Sequence, residues 1–178
     1  MLRPAFSLRL ACALALALTA APTANAQTPK KCPPLLLLYG EGEKIAERQT
    51  DQDRDCRADE IVYYENAAPK RAEEDSDLNG RMDAWTRFGP DGLPTKREVD
   101  TQGDGIVDRW IELENGEARE QRDDRNSDGQ VDATTTFRDG QLEKLEEDTN
   151  FDNRPDRFTT YASGLPERVR QDPDFDER

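Results

Sequence analysis

"DSDLNGRMDAWTRFGPDGLP", Asp75 to Pro94, changes character halfway along its length. The first half sets oxygen-bearing side chains at alternate places (Asp75, Asp77, Asn79), puts Gly80 behind them and adds Asp83. The second half turns to Trp85 and Phe88 and ends in a Pro-Asp-Gly turn. The same grammar runs through "DQDRDCRADEIVYY" from Asp51, "DTQGDGIVDRWIEL" from Asp100, "DRNSDGQVDATTTF" from Asp124 and "DTNFDNRPDRFTTY" from Asp148. The starts are spaced 24, 25, 24 and 24 residues, and a sixth, "DPDFDER", begins at Asp172. Upstream, "LLLLYGEGEKIAERQTD" aligns without a gap onto "AWTRFGPDGLPTKREVD", so half a repeat precedes the first loop. A fixed period in this range signifies a repeat architecture, here one repeat domain over residues 35–178.

Each unit opens with an acidic loop and continues into a short run of aromatic, β-branched and Thr residues: "IVYY", "AWTRF", "RWIEL", "TTTF", "RFTTY". A turn follows, at Pro90-Asp-Gly, Asn115-Gly, Asp139-Gly and Ser163-Gly, and then a very polar run closes the unit. Asn-Gly and Asp-Gly supply the positive φ angles of tight hairpin turns. No segment carries a 3.6-residue apolar stripe long enough for a helix. The expected fold is therefore all-β: one β-hairpin per ~24 residues, in an elongated single-layer antiparallel meander with the acidic loops between hairpins. A β-solenoid is the alternative.

Apolar residues fall on both parities of the first strand. Val62, Tyr64, Phe88, Ile111, Leu113, Phe137 and Tyr161 occupy one, and Ile61, Trp85, Trp110 and Phe158 the other. With the return strands nearly all charged, neither face can build a deep core.

Residues 1–26 read as a secretory signal peptide. Arg3 and Arg9 give a basic start, Ala11 to Ala21 is apolar, and Ala-Asn-Ala ends at Ala26; the run is too short for the ~20 residues of a membrane span. Cys12 opens the apolar run instead of following it, which excludes a lipoprotein reading. Residues 27–34 form a short linker. The expected location is the periplasm or the cell exterior, without membrane insertion. The chain carries 39 acidic and 25 basic residues, a net charge of −14, which becomes −16 without the two arginines of the leader. Such a charge suits no nucleic-acid partner. It also opposes compaction, so something must offset it if the chain folds. Cys32 and Cys56 remain after cleavage, and in an exported chain they most simply form one disulfide. Equivalent places two strands apart in a meander lie ~9.5 Å from one another, whereas one coil of a solenoid separates them by ~4.8 Å. The disulfide thus leans toward the solenoid and the turn residues toward the meander, which is preferred because loops bend.

The loops themselves place oxygens at their first, third, fifth and ninth positions, with glycine usually sixth. Side chains at alternate positions can wrap a calcium ion, glycine permits the sharp turn, and the seventh carbonyl is available. The sets are Asp51, Asp53, Asp55 and Asp59; Asp75, Asp77, Asn79 and Asp83; Asp100, Gln102, Asp104 and Asp108; Asp124, Asn126, Asp128 and Asp132; and Asp148, Asn150, Asp152 and Asp156. The chain resembles the EF-hand-like calcium loops of thrombospondin type 3 and dockerin repeats. It is also similar to secreted bacterial proteins whose Asp-x-Asn-Gly-Asp-Gly-x-x-Asp loops precede an aromatic strand. That resemblance implies calcium on the second, fourth and fifth of these sets, and five such loops in register extend the expectation to about four to five Ca²⁺ ions. Departures are Cys56 and Asn153 in place of glycine, and Gln102 with its longer side chain. The twelfth positions are Val62, Thr86, Ile111, Thr135 and Thr159, so the bidentate Glu of a true EF-hand is absent and the expected affinity is of order 10⁻⁴ to 10⁻³ M. Five Ca²⁺ would bring −16 to about −6 and relieve self-repulsion.

There is no histidine, no phosphate loop and no nucleophile–base pairing, so catalysis is not expected. The expected function is an exported, calcium-stabilised repeat monomer that serves a structural role or binds a protein or glycan. Trp85, Trp110 and Phe158 form either a ligand stripe or cross-strand packing. Alternatives are an extracytoplasmic calcium buffer or sensor, or an immunity or antitoxin partner resembling MORN hairpin repeats, although the MORN glycine pattern is missing.

Overall fold

A computed structural model describes residues 32–171. The signal-peptide segment, most of the linker and the sixth loop start lie outside those residues. Twelve strands form one antiparallel sheet in chain order, and the sheet does not close, since β1 and β12 are its two edges. The strands are β1 Leu35–Tyr39, β2 Ile45–Thr50, β3 Glu60–Glu65, β4 Ala68–Glu74, β5 Ala84–Phe88, β6 Pro94–Val99, β7 Arg109–Glu114, β8 Glu117–Asp123, β9 Ala133–Arg138, β10 Gln141–Glu147, β11 Arg157–Ala162 and β12 Leu165–Gln171. One short 3₁₀ turn, Glu41–Glu43, joins β1 to β2. The meander reading holds, and the solenoid alternative does not.

Hairpin turns follow the residues that can take positive φ. Asn115 and Gly116 (φ 53° and 83°), Asp139 and Gly140 (49° and 71°), and Ser163 and Gly164 (52° and 76°) each form a two-residue connection. The β3–β4 hairpin does the same with Asn66 and Ala67 (53° and 66°), where no glycine marks the turn. Both residues at positive φ is the type I′ pattern, whose twist matches that of the strands.

Every hairpin also carries a one-residue bulge in its second strand. The register skips a residue at Ala46, Lys70, Thr95, Arg119, Glu143 and Glu167, each next to the partner of Tyr39, Tyr64, Phe88, Leu113, Phe137 or Tyr161. In three hairpins the residue opposite the aromatic is proline: Pro69, Pro94 and Pro166. Proline cannot donate to the ladder and is tolerated at strand starts and bulges.

The two faces differ. One cross-strand row reads Val62, Ala72, Thr86, Arg97, Ile111, Gln121, Thr135, Leu145, Thr159 and supplies several of the few well-buried side chains. The opposite face carries a row that reads Ile61, Glu73, Trp85, Glu98, Trp110, Arg122, Thr134, Glu146, Phe158, Arg170. Its aromatics pack between charged neighbours, not against one another, and the Arg170 guanidinium lies 4.3 Å from the centre of the Phe158 ring. Among the described residues the buried apolar ones are Val62, Ala72, Ala84 and Ala133. Such a core is too thin to hold twelve strands by burial of apolar area.

Candidate metal centre

What is buried, instead, is aspartate. The first and ninth residues of all five loops are buried: Asp51 and Asp59, Asp75 and Asp83, Asp100 and Asp108, Asp124 and Asp132, Asp148 and Asp156. The third and fifth residues, from Asp53 and Asp55 through Asn150 and Asp152, are exposed. A spacing that treats the four places alike thus resolves into two pairs with different work.

The backbones of the buried aspartates extend the sheet ladder beyond the strands. The N–H of Asp75 donates to the carbonyl of Asp59 at 2.8 Å, and Asp100 to Asp83, Asp124 to Asp108 and Asp148 to Asp132 do the same at 2.7–2.8 Å. Within each loop the ninth residue donates back to the preceding strand, as Asp83 does to Glu74 (2.8 Å) and Asp132 to Asp123 (2.8 Å). A row of aspartates therefore crosses one end of the sheet and stitches each hairpin to the next.

Their carboxylates fold the loop. The first residue accepts the N–H of the sixth in every loop, and that of the fourth or fifth in all but the fourth loop; Asp100 Oδ1 takes Gly103 (2.7 Å) and Asp104 (3.3 Å), and Oδ2 takes Gly105 (2.7 Å). The ninth accepts the N–H of the second, as Asp108 does from Thr101 (3.0 Å), with the Thr101 hydroxyl adding a bond at 2.8 Å. Residues four and six of every loop stand at positive φ. At the sixth place stand Gly80, Gly105 and Gly129, with Cys56 (77°) and Asn153 (71°) in the other two loops. At the fourth stand Arg54 (65°), Leu78 (60°), Gly103 (72°), Ser127 (60°) and Phe151 (61°). For a residue bearing a β-carbon the left-handed conformation costs about 1–2 kcal/mol. Hydrogen bonds to a charged acceptor, ~1.5–3 kcal/mol each, outweigh that. Gly80 has a φ of 87°, and the exposed Arg57 side chain of the preceding loop lies against the open side where a β-carbon would stand.

The exposed pairs converge unequally. Carboxylate oxygens of Asp51, Asp53 and Asp59 lie within 4.8 Å of one another, and so do those of Asp75, Asp77 and Asp83. Asp55 stands apart, accepting the Arg57 N–H (2.7 Å) with the Arg57 guanidinium 3.8 Å away. Asn79 lies beside Asp77, its amide donating to Oδ2 at 2.9 Å. Gln102 donates to the Ser127 hydroxyl of the next loop at 2.7 Å, so its amide bridges loops. In the fourth loop Asn126 Nδ2 donates to Asp128 Oδ2 at 3.0 Å. In the fifth, Asp152 N–H donates to Asn150 Oδ1 at 3.2 Å. Clusters of hard oxygens suit a hard divalent cation. A second sign is Asp124 Oδ1, which is buried and accepts no hydrogen bond.

Cys32 and Cys56 form the disulfide, with Cα atoms 5.2 Å apart. The ~9.5 Å expected for a meander does not apply, because Cys56 sits in a curled loop and not on a strand. Left-handed Arg54 and Cys56 bend the loop back, and the Asp51 N–H donates to the Pro34 carbonyl at 3.1 Å, drawing the segment before β1 against it.

Burial of Asp100 would by itself raise its pKa, but the N–H groups of Gly105, Gly103, Asp104 and Gln102 more than reverse this and hold the carboxyl below its ordinary range. A folded pKa below the unfolded ~3.9 means stabilisation that is complete above ~3.9 and is lost as pH falls through the folded value. In metal-free protein the Gly103 and Gly105 amide resonances are therefore expected to keep their positions through weakly acidic pH and to collapse only below ~3.9. A midpoint above that value contradicts the assignment.

No family model and no curated protein matches the chain. Among solved structures, the chain is similar to a component of "accessory secretory protein 1,2 and 3 in Streptococcus pneumoniae", with 16% identity and a TM-score of 0.41 over 66% of this chain. This chain spans 19% of that component's length.

Proposed function

We propose that the protein is an exported calcium-binding repeat protein whose ions complete the loops and stiffen the junctions between hairpins. The observation that carries this reading is the convergence of three carboxylates within 4.8 Å in each of the first two loops. Like charges held that close repel by about 1–3 kcal/mol per pair in a partly solvated site, which a bound cation reverses. The first and ninth aspartates stay with the backbone while contributing oxygen to the ion, and the third and fifth close the outer side. Calcium supplies the charge compensation that a chain of net charge −14 otherwise lacks.

The stiffened sheet presents Trp85, Trp110 and Phe158 along one face, the surface for a protein or glycan partner. Among the described residues no helix is long and apolar enough to cross a membrane.

A thermal melt followed by circular dichroism, in millimolar calcium and then in excess EGTA, tests the calcium reading. With affinities of order 10⁻⁴ to 10⁻³ M, each filled site adds roughly 0.4–1.4 kcal/mol at 1 mM calcium. A clear calcium-dependent rise in Tm, reversed by EGTA, is the expected result. An unchanged fold and melt in EGTA would leave the loops as carboxylate-closed turns.

A further inference from the structure

The five loops differ at one atom. In the first, second, third and fifth, Oδ1 of the leading aspartate already accepts a backbone N–H: Asp51 from Arg54 (2.7 Å), Asp75 from Asn79 (3.1 Å), Asp100 from Gly103 (2.7 Å) and Asp148 from Phe151 (2.7 Å). In the fourth, Asp124 Oδ2 accepts the Gly129 N–H at 2.8 Å, while Oδ1 has no partner. Asp124 is only 5% exposed, so water does not serve this oxygen freely. The amide that could have reached it, the N–H of Asp128, donates instead to Asn126 Oδ1 at 3.0 Å. Neighbouring cations are engaged elsewhere. Arg125 donates to Glu147 at 2.9 Å and Arg109 to Asp123 at 2.5 Å.

An anionic oxygen buried without a donor is costly and calls for a cation. We infer that the fourth loop is the calcium site that fills first, with Asp124 Oδ1 as the leading ligand; Asn126, Asp128 and Asp132 are the other side-chain donors, drawn in by the ion, since the carboxylates here are not gathered within 4.8 Å as they are in the first two loops. This rests on the calcium reading above and adds an order to it. At the leading aspartate an ion entering the other loops must displace or share an existing hydrogen bond on Oδ1, whereas Asp124 Oδ1 has none, although Asn126 Oδ1, Asp128 Oδ1 and Asp132 Oδ2 each accept an N–H. One hydrogen bond to a charged acceptor corresponds to about tenfold in affinity. Charge counting alone would favour the first loop, with four carboxylates, but Asp55 is turned to Arg57 there.

The test is a calcium titration of ¹⁵N-labelled, oxidised protein from EGTA upward, following the amides of Gly80, Gly105 and Gly129. Gly129 is expected to shift with a midpoint about tenfold below the other two. Asp124→Asn keeps the size and one acceptor, and is expected to raise the Gly129 midpoint to that of Gly80 or beyond while leaving Gly80 in place. Asp128→Asn, on the exposed side, is expected to raise the Gly129 midpoint with the spectrum otherwise intact. Gly80 or Gly105 moving before or together with Gly129, or Asp124→Asn titrating like the parent, overturns the order but not calcium binding. Absence of any shift up to about 10 mM calcium overturns both readings.

Discussion

Asp100→Ala is expected to destabilise the metal-free protein by about 3 kcal/mol, whereas Asp104→Ala, in the same loop, costs about 1 kcal/mol or less. Both remove a carboxylate, and the candidate ion would use both. The difference lies in what each holds without metal. Asp100 accepts three backbone N–H groups and is buried. Asp104 is exposed and accepts one, from Ile106 at 2.8 Å. Hydrogen bonds to a charged acceptor contribute ~1.5–3 kcal/mol each, and the lower end applies here because water reaches the exposed loop amides once the carboxylate is gone. Losing one negative charge from an acidic chain returns less than ~1 kcal/mol at these separations. Hydrogen bonding therefore wins.

Where the damage appears matters as much as its size. Repeat proteins are held by nearest-neighbour junctions. The β6–β7 junction beside Asp100 has only four cross-strand pairs, from Lys96↔Glu112 to Val99↔Arg109. Hydrogen exchange in Asp100→Ala is expected to rise across these amides and to stay near parental values in the β9–β10 and β11–β12 hairpins. In millimolar calcium, Asp104→Ala is expected to lose the share of calcium stabilisation due to this loop. Equal losses for the two variants in EGTA would show that the division between buried and exposed aspartates carries no energetic meaning.

The hairpins were legible because two independent signals agree: a 24-residue period and turn dipeptides rich in Asn, Asp and Gly. Asn66–Ala67 escaped because alanine gives no sign of positive φ; the strands on either side impose it. Leu78 and Phe151 escaped for a related reason. Nothing in either side chain favours the left-handed region, and the conformation goes with a carboxylate three residues earlier that gathers the N–H of Asn79 in one loop and of Phe151 in the other. The bulges did carry a signal in Pro69, Pro94 and Pro166, readable only once the aromatic opposite each proline is known. Spacing brought out the loop oxygens as equal candidates. It could not separate Asp75 from Asp77, because burial depends on the neighbouring hairpin and not on the loop's own residues.

Replacing both Cys32 and Cys56 by serine is expected to cost about 3.5 kcal/mol, the chain-entropy value for a bridge closing a loop of this length. The loss should be local, because among the described strands β1 is an edge that pairs with β2 alone. Leu35, Leu36 and Leu38 are already well exposed, so little apolar burial holds this strand once the tether is gone. Hydrogen exchange should therefore rise in β1 and β2 while β7 to β12 keep their protection. The serine pair also leaves a β-carbon at position 56, where φ is 77° and the other loops have glycine or asparagine. Combining Cys32→Ser with Cys56→Gly removes the same bridge but suits that conformation. The gain of about 1–2 kcal/mol in left-handed strain is partly offset by the flexibility of glycine in the unfolded chain. The glycine variant is thus expected to melt higher than the serine pair, by an amount equivalent to roughly 0.5–1 kcal/mol. If the two variants melt together, the disulfide acts on the unfolded chain alone. If glycine restores part of the loss, the bridge also holds a cysteine in a conformation that its own backbone disfavours.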